Sequence, residues 1–95
     1  MTDRRIIDET SVPRLPTGVR LKFDDPRDQW VILAPERMYV LDQVALAIVR
    51  ECDGVANVGG IIDALAEDFA APRAQIGGDV VHMLQDFADK GVIDA

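Results

Sequence analysis

The sequence predicts an α+β domain, winged-helix-like, in which a three-stranded antiparallel sheet is followed by a three-helix bundle. Three observations carry this. Between Val19 and Leu41 apolar residues recur in short alternating runs separated by turn residues, and from Asp42 onward they recur at helical spacing. Strands therefore precede helices instead of alternating with them, which argues against a parallel α/β sheet. The chain has 95 residues, 48% of them apolar, enough for one core and little more.

Residues 1–17 hold Pro13 and Pro16 and no sustained period. They read as a flexible N-terminal tail that orders on contact with a partner, leaving 18–95 as a single domain. The first strand sets Val19, Leu21 and Phe23 on one face and Arg20 and Lys22 on the other. Asp24-Asp25-Pro26-Arg27-Asp28 is a turn, because Pro presets φ and Asp side chains bond nearby backbone. A second strand covers Gln29 to Leu33, Ala34-Pro35-Glu36 is a tight turn, and a third strand runs from Arg37 to Leu41. Short turns between successive strands imply an antiparallel meander. Such a sheet cannot bury its apolar face alone, so the helices must cover it.

Asp42 is placed to cap a helix reaching Cys52, with Leu41, Ala45, Ile48, Val49 and Cys52 on one side. Gly54 suits the left-handed position that closes it. Asn57 can cap a second helix burying Ile61, Ile62, Leu65 and Phe69. Pro72 suits the first turn of a third helix that runs to about Lys90. Gly91 stops it, and Val92 and Ile93 can fold back on its last turn.

On a wheel of roughly 100° per residue, the third helix has an apolar-or-small arc of roughly 160°, wider than the roughly 100° a surface helix needs. Ile76, Val80, Met83 and Phe87 form its centre. The flank of Gly77, Val81, Leu84 and Ala88 either packs internally or forms one wall of an exposed groove. A second feature is the sheet margin. The central strand of a meander is saturated, but the third, Arg37-Met38-Tyr39-Val40-Leu41, presents an unpaired edge with one charge to protect it. An extended peptide can add there; the tail or a second copy of the chain can equally cover it.

Catalytic and metal chemistry is not evident. Cys52 is the one cysteine and His82 the one histidine, so neither an internal disulfide nor metal-ligand spacing arises. Cys52 falls on a buried helix side and reads as an inert core thiol; His82 falls on a polar face and reads as solvated. Ser11 has no His or Lys near it to activate it. We expect no enzyme activity, no cofactor, no membrane span and a reducing cytoplasm. Trp30 reads as core packing against the helices. Net charge is −7, and the excess lies in residues 42–95, with three Lys/Arg against ten Asp/Glu. Arg73 and Lys90 share the third helix with Asp79, Asp86 and Asp89. An acidic helix is repelled by phosphates, so the nucleic-acid role that a winged helix suggests is excluded.

Leu15-Pro16-Thr17-Gly18-Val19-Arg20-Leu21 and Val31-Ile32-Leu33-Ala34-Pro35-Glu36-Arg37, with Leu41-Asp42, Cys52-Asp53-Gly54, Pro72 and Asp89-Lys90-Gly91, resemble the protein D family of pyrroloquinoline quinone (PQQ) biosynthesis. Gly59-Gly60 and Gly77-Gly78 depart from the pattern, standing where Ala or charged residues are expected. The resemblance implies a noncatalytic peptide chaperone of the RiPP recognition element type, acting on ribosomally made and later modified peptides. It implies binding of the precursor peptide (protein A) as an added strand beside the third helix, and presentation to the radical S-adenosylmethionine (SAM) enzyme, protein E. By position, Arg37, Met38, Tyr39, Val40 and Leu41 would supply backbone pairing, and Gly77, Val81, Leu84 and Ala88 the groove wall. The competing expectation is a self-associating structural domain, a homodimer through the open edge.

Overall fold

Alternation in the first part of the chain becomes a sheet of three strands in the order β1-β2-β3: β1 (Arg20–Asp24), β2 (Gln29–Ala34) and β3 (Arg37–Val40). The computed structural model describes residues 5–95. Both hairpins turn where the sequence predicts. Asp25–Arg27 form a short 3-10 turn closed by Asp28 at φ 53. Pro35 and Glu36 link β2 to β3 with Glu36 at φ 61, which fits Pro followed by a positive φ in a type II turn. The register aligns Leu21, Ile32 and Tyr39 in one row and Lys22, Val31 and Val40 in the next. Successive rows face opposite sides. The Ile32 row faces the helices, and Ile32 is wholly buried in the core.

The helices are α1 (Gln43–Arg50), α2 (Val58–Asp68) and α3 (Arg73–Asp89). Asp42 accepts from the Ala45 N–H at 2.7 Å and Asn57 from the Gly60 N–H at 2.8 Å, so both expected caps form. At the end of α3 Gly91 takes φ 76, and the Val92 N–H donates to the Phe87 carbonyl at 3.0 Å. This wraps the chain back and buries Val92 and Ile93. Phe69 differs from expectation: it is the C-cap of α2, past the last helical residue, and is 37% exposed.

Residues 1–17 read as a flexible tail. The first four lie outside the described residues, and 5–17 contain neither helix nor extended strand, yet they are docked. Ile7 and Pro13 are buried. The carbonyls of Ser11 and Glu9 accept the Val58 and Gly59 N–H groups at 2.8 and 2.9 Å, donors that the first turn of a helix leaves unpaired. Gly59 makes this possible: a Cβ there would lie 3.1 Å from Glu9 Oε1 and 3.4 Å from the Glu9 carbonyl. On α3, Gln85 accepts from the Ile7 N–H and donates to the Arg5 carbonyl, each at 2.8 Å.

Ion pairs fasten the same segment. Arg73 binds both Glu9 and Asp63, and Arg14 binds Asp94 at 3.0 Å. Hydrogen bonds from Arg73 hold the Glu9 carboxyl below its usual range, and those from Arg14 do the same for Asp94. A carboxyl with a lower pKa in the docked state stabilises docking above its free pKa and loses that contribution as pH falls through the docked one. Free carboxyls titrate near about pH 4. Acidification from pH 6 to about pH 3 is therefore expected to release residues 5–17 before the sheet opens. Hydrogen exchange at Val58 and Gly59, corrected for intrinsic rate, should accelerate while Ile32 stays protected. Unchanged protection at Val58 and Gly59 at that pH would refute the linkage.

Candidate functional site

β3 pairs with β2 on one side and, among the described residues, with no strand on the other. Its free hydrogen-bonding groups can be assigned. The Leu41 N–H donates to the Trp30 carbonyl at 3.0 Å, so Leu41 and Trp30 stand at a hydrogen-bonded position of the pair. Bonded and non-bonded positions alternate in antiparallel pairs. Tyr39 and Arg37 therefore bond to Ile32 and Ala34, their register partners. Met38 and Val40 direct their N–H and C=O groups to the open margin. Their side chains are also exposed, at 40% and 55%.

Tyr39 points the other way, toward α3, with its ring 6.0 Å from that of Phe87. Arg37 donates to the Lys90 carbonyl at 2.6 Å and to Tyr39 Oη at 3.3 Å. Lys90 lies 5.3 Å from the Tyr39 ring centroid and 2.9 Å from Asp86, and its hydrogen bond to Asp86 raises its pKa. These contacts tie the start of β3 to the end of α3 and set the spacing of the two elements. At the far end, a hollow of about 320 Å³ opens between α1 and α3, lined by Asp42, Val44, Ala45, Ile48, Asp79, His82 and Met83. β3 thus presents an open margin among the described residues, beside the end of α3, where the Tyr39 and Phe87 rings meet.

The predicted site residues divide into two groups. Arg37, Met38, Tyr39 and Val40 lie on this margin, and Leu41, just past it, is buried. The predicted groove wall of Gly77, Val81, Leu84 and Ala88 is corrected. Leu84 is wholly buried in the core. Gly77 lies against α2, where a Cβ would sit in ordinary contact 3.5 Å from Ile62 Cδ1, so this position faces the neighbouring helix and not an open groove. Ala88 lines a hollow with Arg5, Ile6 and Pro16 of the N-terminal segment, and Val81 is half-buried against the core. On that flank Gly77 faces α2 and Ala88 faces the chain's own N-terminal segment. The width of an apolar arc says how much of a helix is covered, not which neighbour covers each part. Phe87, at the centre of that arc, is buried in the core as expected, and Met83 packs partly buried against it.

Other polar groups offer little chemistry. Burial, then the charges of Asp53 and Glu51, push the Cys52 thiol up to about 12, far from a reactive thiolate. Among the described residues no group of His, Cys, Asp and Glu is placed to hold a metal ion, and no helix is long and apolar enough to cross a membrane. Trp30 is half-buried, edge-on to Phe23 at 5.4 Å, with the Arg50 guanidinium 4.9 Å from its ring centroid.

A strand-first winged-helix domain with an open third strand beside its last helix defines a class of small recognition domain. Comparison with known proteins places the chain within it. The family model described as coenzyme PQQ synthesis protein D (PqqD) matches residues 29–93. A "PqqA binding protein" of Rhodopseudomonas palustris (strain TIE-1) is 56% identical over 94 residues, covering 98% of this chain and 92% of that protein. One from Bradyrhizobium diazoefficiens is 47% identical over 87 residues, covering 92% and 84%. The solution NMR structure of the PqqD truncation of Methylobacterium extorquens PqqCD superposes with a TM-score of 0.81 at 40% identity, covering 94% of this chain and 95% of that one. That protein is described as a functional and stand-alone RiPP recognition element. The crystal structure of PqqD from Xanthomonas campestris gives a TM-score of 0.61 at 38% identity, covering 94% and 99%. The chain belongs to the PqqD family. The family and fold expected from the sequence are both found.

Proposed function

We propose that this chain is a noncatalytic peptide chaperone of PQQ biosynthesis. It binds the precursor peptide PqqA as an added strand on β3 and presents it to the radical SAM enzyme of the pathway in the cytoplasm. One observation carries the binding mode: Met38 and Val40 turn their backbone donors and acceptors to a margin that no strand occupies among the described residues, and α3 lies beside that strand through the Tyr39–Phe87 contact. Main-chain bonds to such an edge supply affinity, and the groove beside it reads alternate side chains. The names of the relatives support the choice of PqqA. Residues 18–95 are the recognising unit, with Arg37 to Leu41 as its pairing strand, and the chain brings no cofactor of its own.

The same edge favours a second reading, a homodimer joined β3 to β3, because an exposed strand margin accepts any extended chain. Titration of the protein into fluorescently labelled PqqA, with amide shift mapping, separates the two. Micromolar or tighter binding is expected, with shifts concentrated at Met38, Val40, Met83 and Phe87. Absence of binding at that concentration, together with a concentration-dependent dimer in sedimentation, would replace the first reading by the second.

A further inference from the structure

A hollow opens just past the last residue of β3, with Asp42 on its rim. A strand added along Arg37–Val40 advances about 3.3 Å per residue, so its next one or two residues pass over Leu41 and Asp42. There they meet the hollow between the start of α1 and the middle of α3. Its walls are apolar, from Val44, Ala45, Ile48 and Met83, and Val44 is 40% exposed. Its rim is polar, from Asp42, Asp79 and His82. Asp42 spends one oxygen on the cap of α1, at 2.7 Å from the Ala45 nitrogen. Asp79 has no cationic partner among the described residues. The cations of the helical half are engaged elsewhere: Arg73 with Glu9 and Asp63, Lys90 with Asp86, and Arg50 over Trp30.

An oily cup under two carboxylates without a cation is complementary to a side chain that is aliphatic along its stem and cationic at its tip. Lys and Arg have that build. We propose that this hollow is a specificity pocket for a Lys or Arg of the precursor peptide, next to the segment that pairs with β3. The stem would lie against Ile48 and Met83 and the charge would sit between Asp42 and Asp79. This pocket rests on the strand-addition reading above. It adds a side-chain requirement to a contact that backbone pairing alone would leave tolerant of sequence.

The test uses the full chain and labelled PqqA. Asn caps helices as well as Asp does, so Asp42→Asn with Asp79→Asn removes charge and keeps the α1 cap. This double variant is expected to lose about three- to tenfold in affinity, the range of a partly screened ion pair, and to show a flatter salt dependence. Glu67→Gln with Asp68→Asn, the same charge change on α2, should lose little. PqqA with all its Lys and Arg changed to Gln should bind the wild type and the double variant alike. Asp79→Asn alone, which leaves the cap untouched, gives the same reading if the double variant is unstable. Equal binding of unmodified PqqA by wild type and variant overturns the pocket and leaves peptide recognition standing. So does an equal loss for both peptides. Failure of the wild type to bind PqqA at all removes the recognition reading and the pocket with it.

Discussion

Val40→Pro is expected to leave the protein folded and to weaken PqqA binding by at least about tenfold, equivalent to about 1.4 kcal/mol. The Val40 N–H faces the open margin, since the neighbouring Leu41 N–H is the one that donates to Trp30. Proline removes that donor without removing a bond to β2, and an edge strand tolerates proline where its N–H faces solvent. A guest strand loses a hydrogen bond worth about 0.5–1.5 kcal/mol net and meets the ring where its own carbonyl should lie. Tyr39→Pro is the contrasting variant. Its N–H belongs to the Ile32 pairing, so it should disrupt the sheet and broaden the thermal transition. Circular dichroism of both variants and fluorescence anisotropy of labelled PqqA check the pair. A folded Val40→Pro protein with wild-type affinity would rule out strand addition at β3.

Leu84→Ala should produce the largest loss of stability without touching recognition. Leu84 is wholly buried, one turn from Val80 and Phe87, in the middle of α3. Truncating such a leucine costs about 2–5 kcal/mol. Domains of this size are stable by only about 5–15 kcal/mol. Each kcal/mol lowers Tm by roughly 4–8 °C at this length, so a drop of more than about 10 °C is expected. At a temperature where the variant remains folded, its affinity for PqqA should match the wild type, because the side chain faces the core and not the groove. The opposite pattern, unchanged Tm with weakened binding, is what a groove-wall leucine would give, and it would reinstate the wall along Gly77, Val81, Leu84 and Ala88.

Both experiments follow from a division visible in α3. Its wide apolar arc was legible in the sequence, and so was the open third strand; which part of the arc lies beside that strand was not. The flank of Gly77, Val81, Leu84 and Ala88 reads as surplus because the arc is wider than a surface helix needs, and helical period does not reveal that α2 and the N-terminal residues meet parts of it. Ile7 and Pro13 of that N-terminal segment are buried and Leu15 packs on the core, but its apolar residues follow no period that would flag them. Their hold on the domain comes from single carbonyls meeting the first turn of α2 and from Gln85 bonding backbone at both Arg5 and Ile7. Gly59, which stands where Ala or a charged residue is expected, is the clearest mark of that docking, since a larger residue would press on Glu9.

Strand order, the two hairpin turns, the caps at Asp42 and Asn57 and the stop at Gly91 were determined by the sequence alone. Each depends on a few adjacent residues, through φ preference, side-chain capping or apolar period, and such preferences act before any distant contact forms. Three matters were decided only in the folded molecule: which flank of α3 faces β3, which covers the N-terminal segment, and which backbone groups of β3 remain unpaired. These depend on burial shared among elements far apart in the chain and on hydrogen bonds formed across strands. Helical period ranks the faces of a helix by polarity but carries no information about the identity of the surface each face will meet.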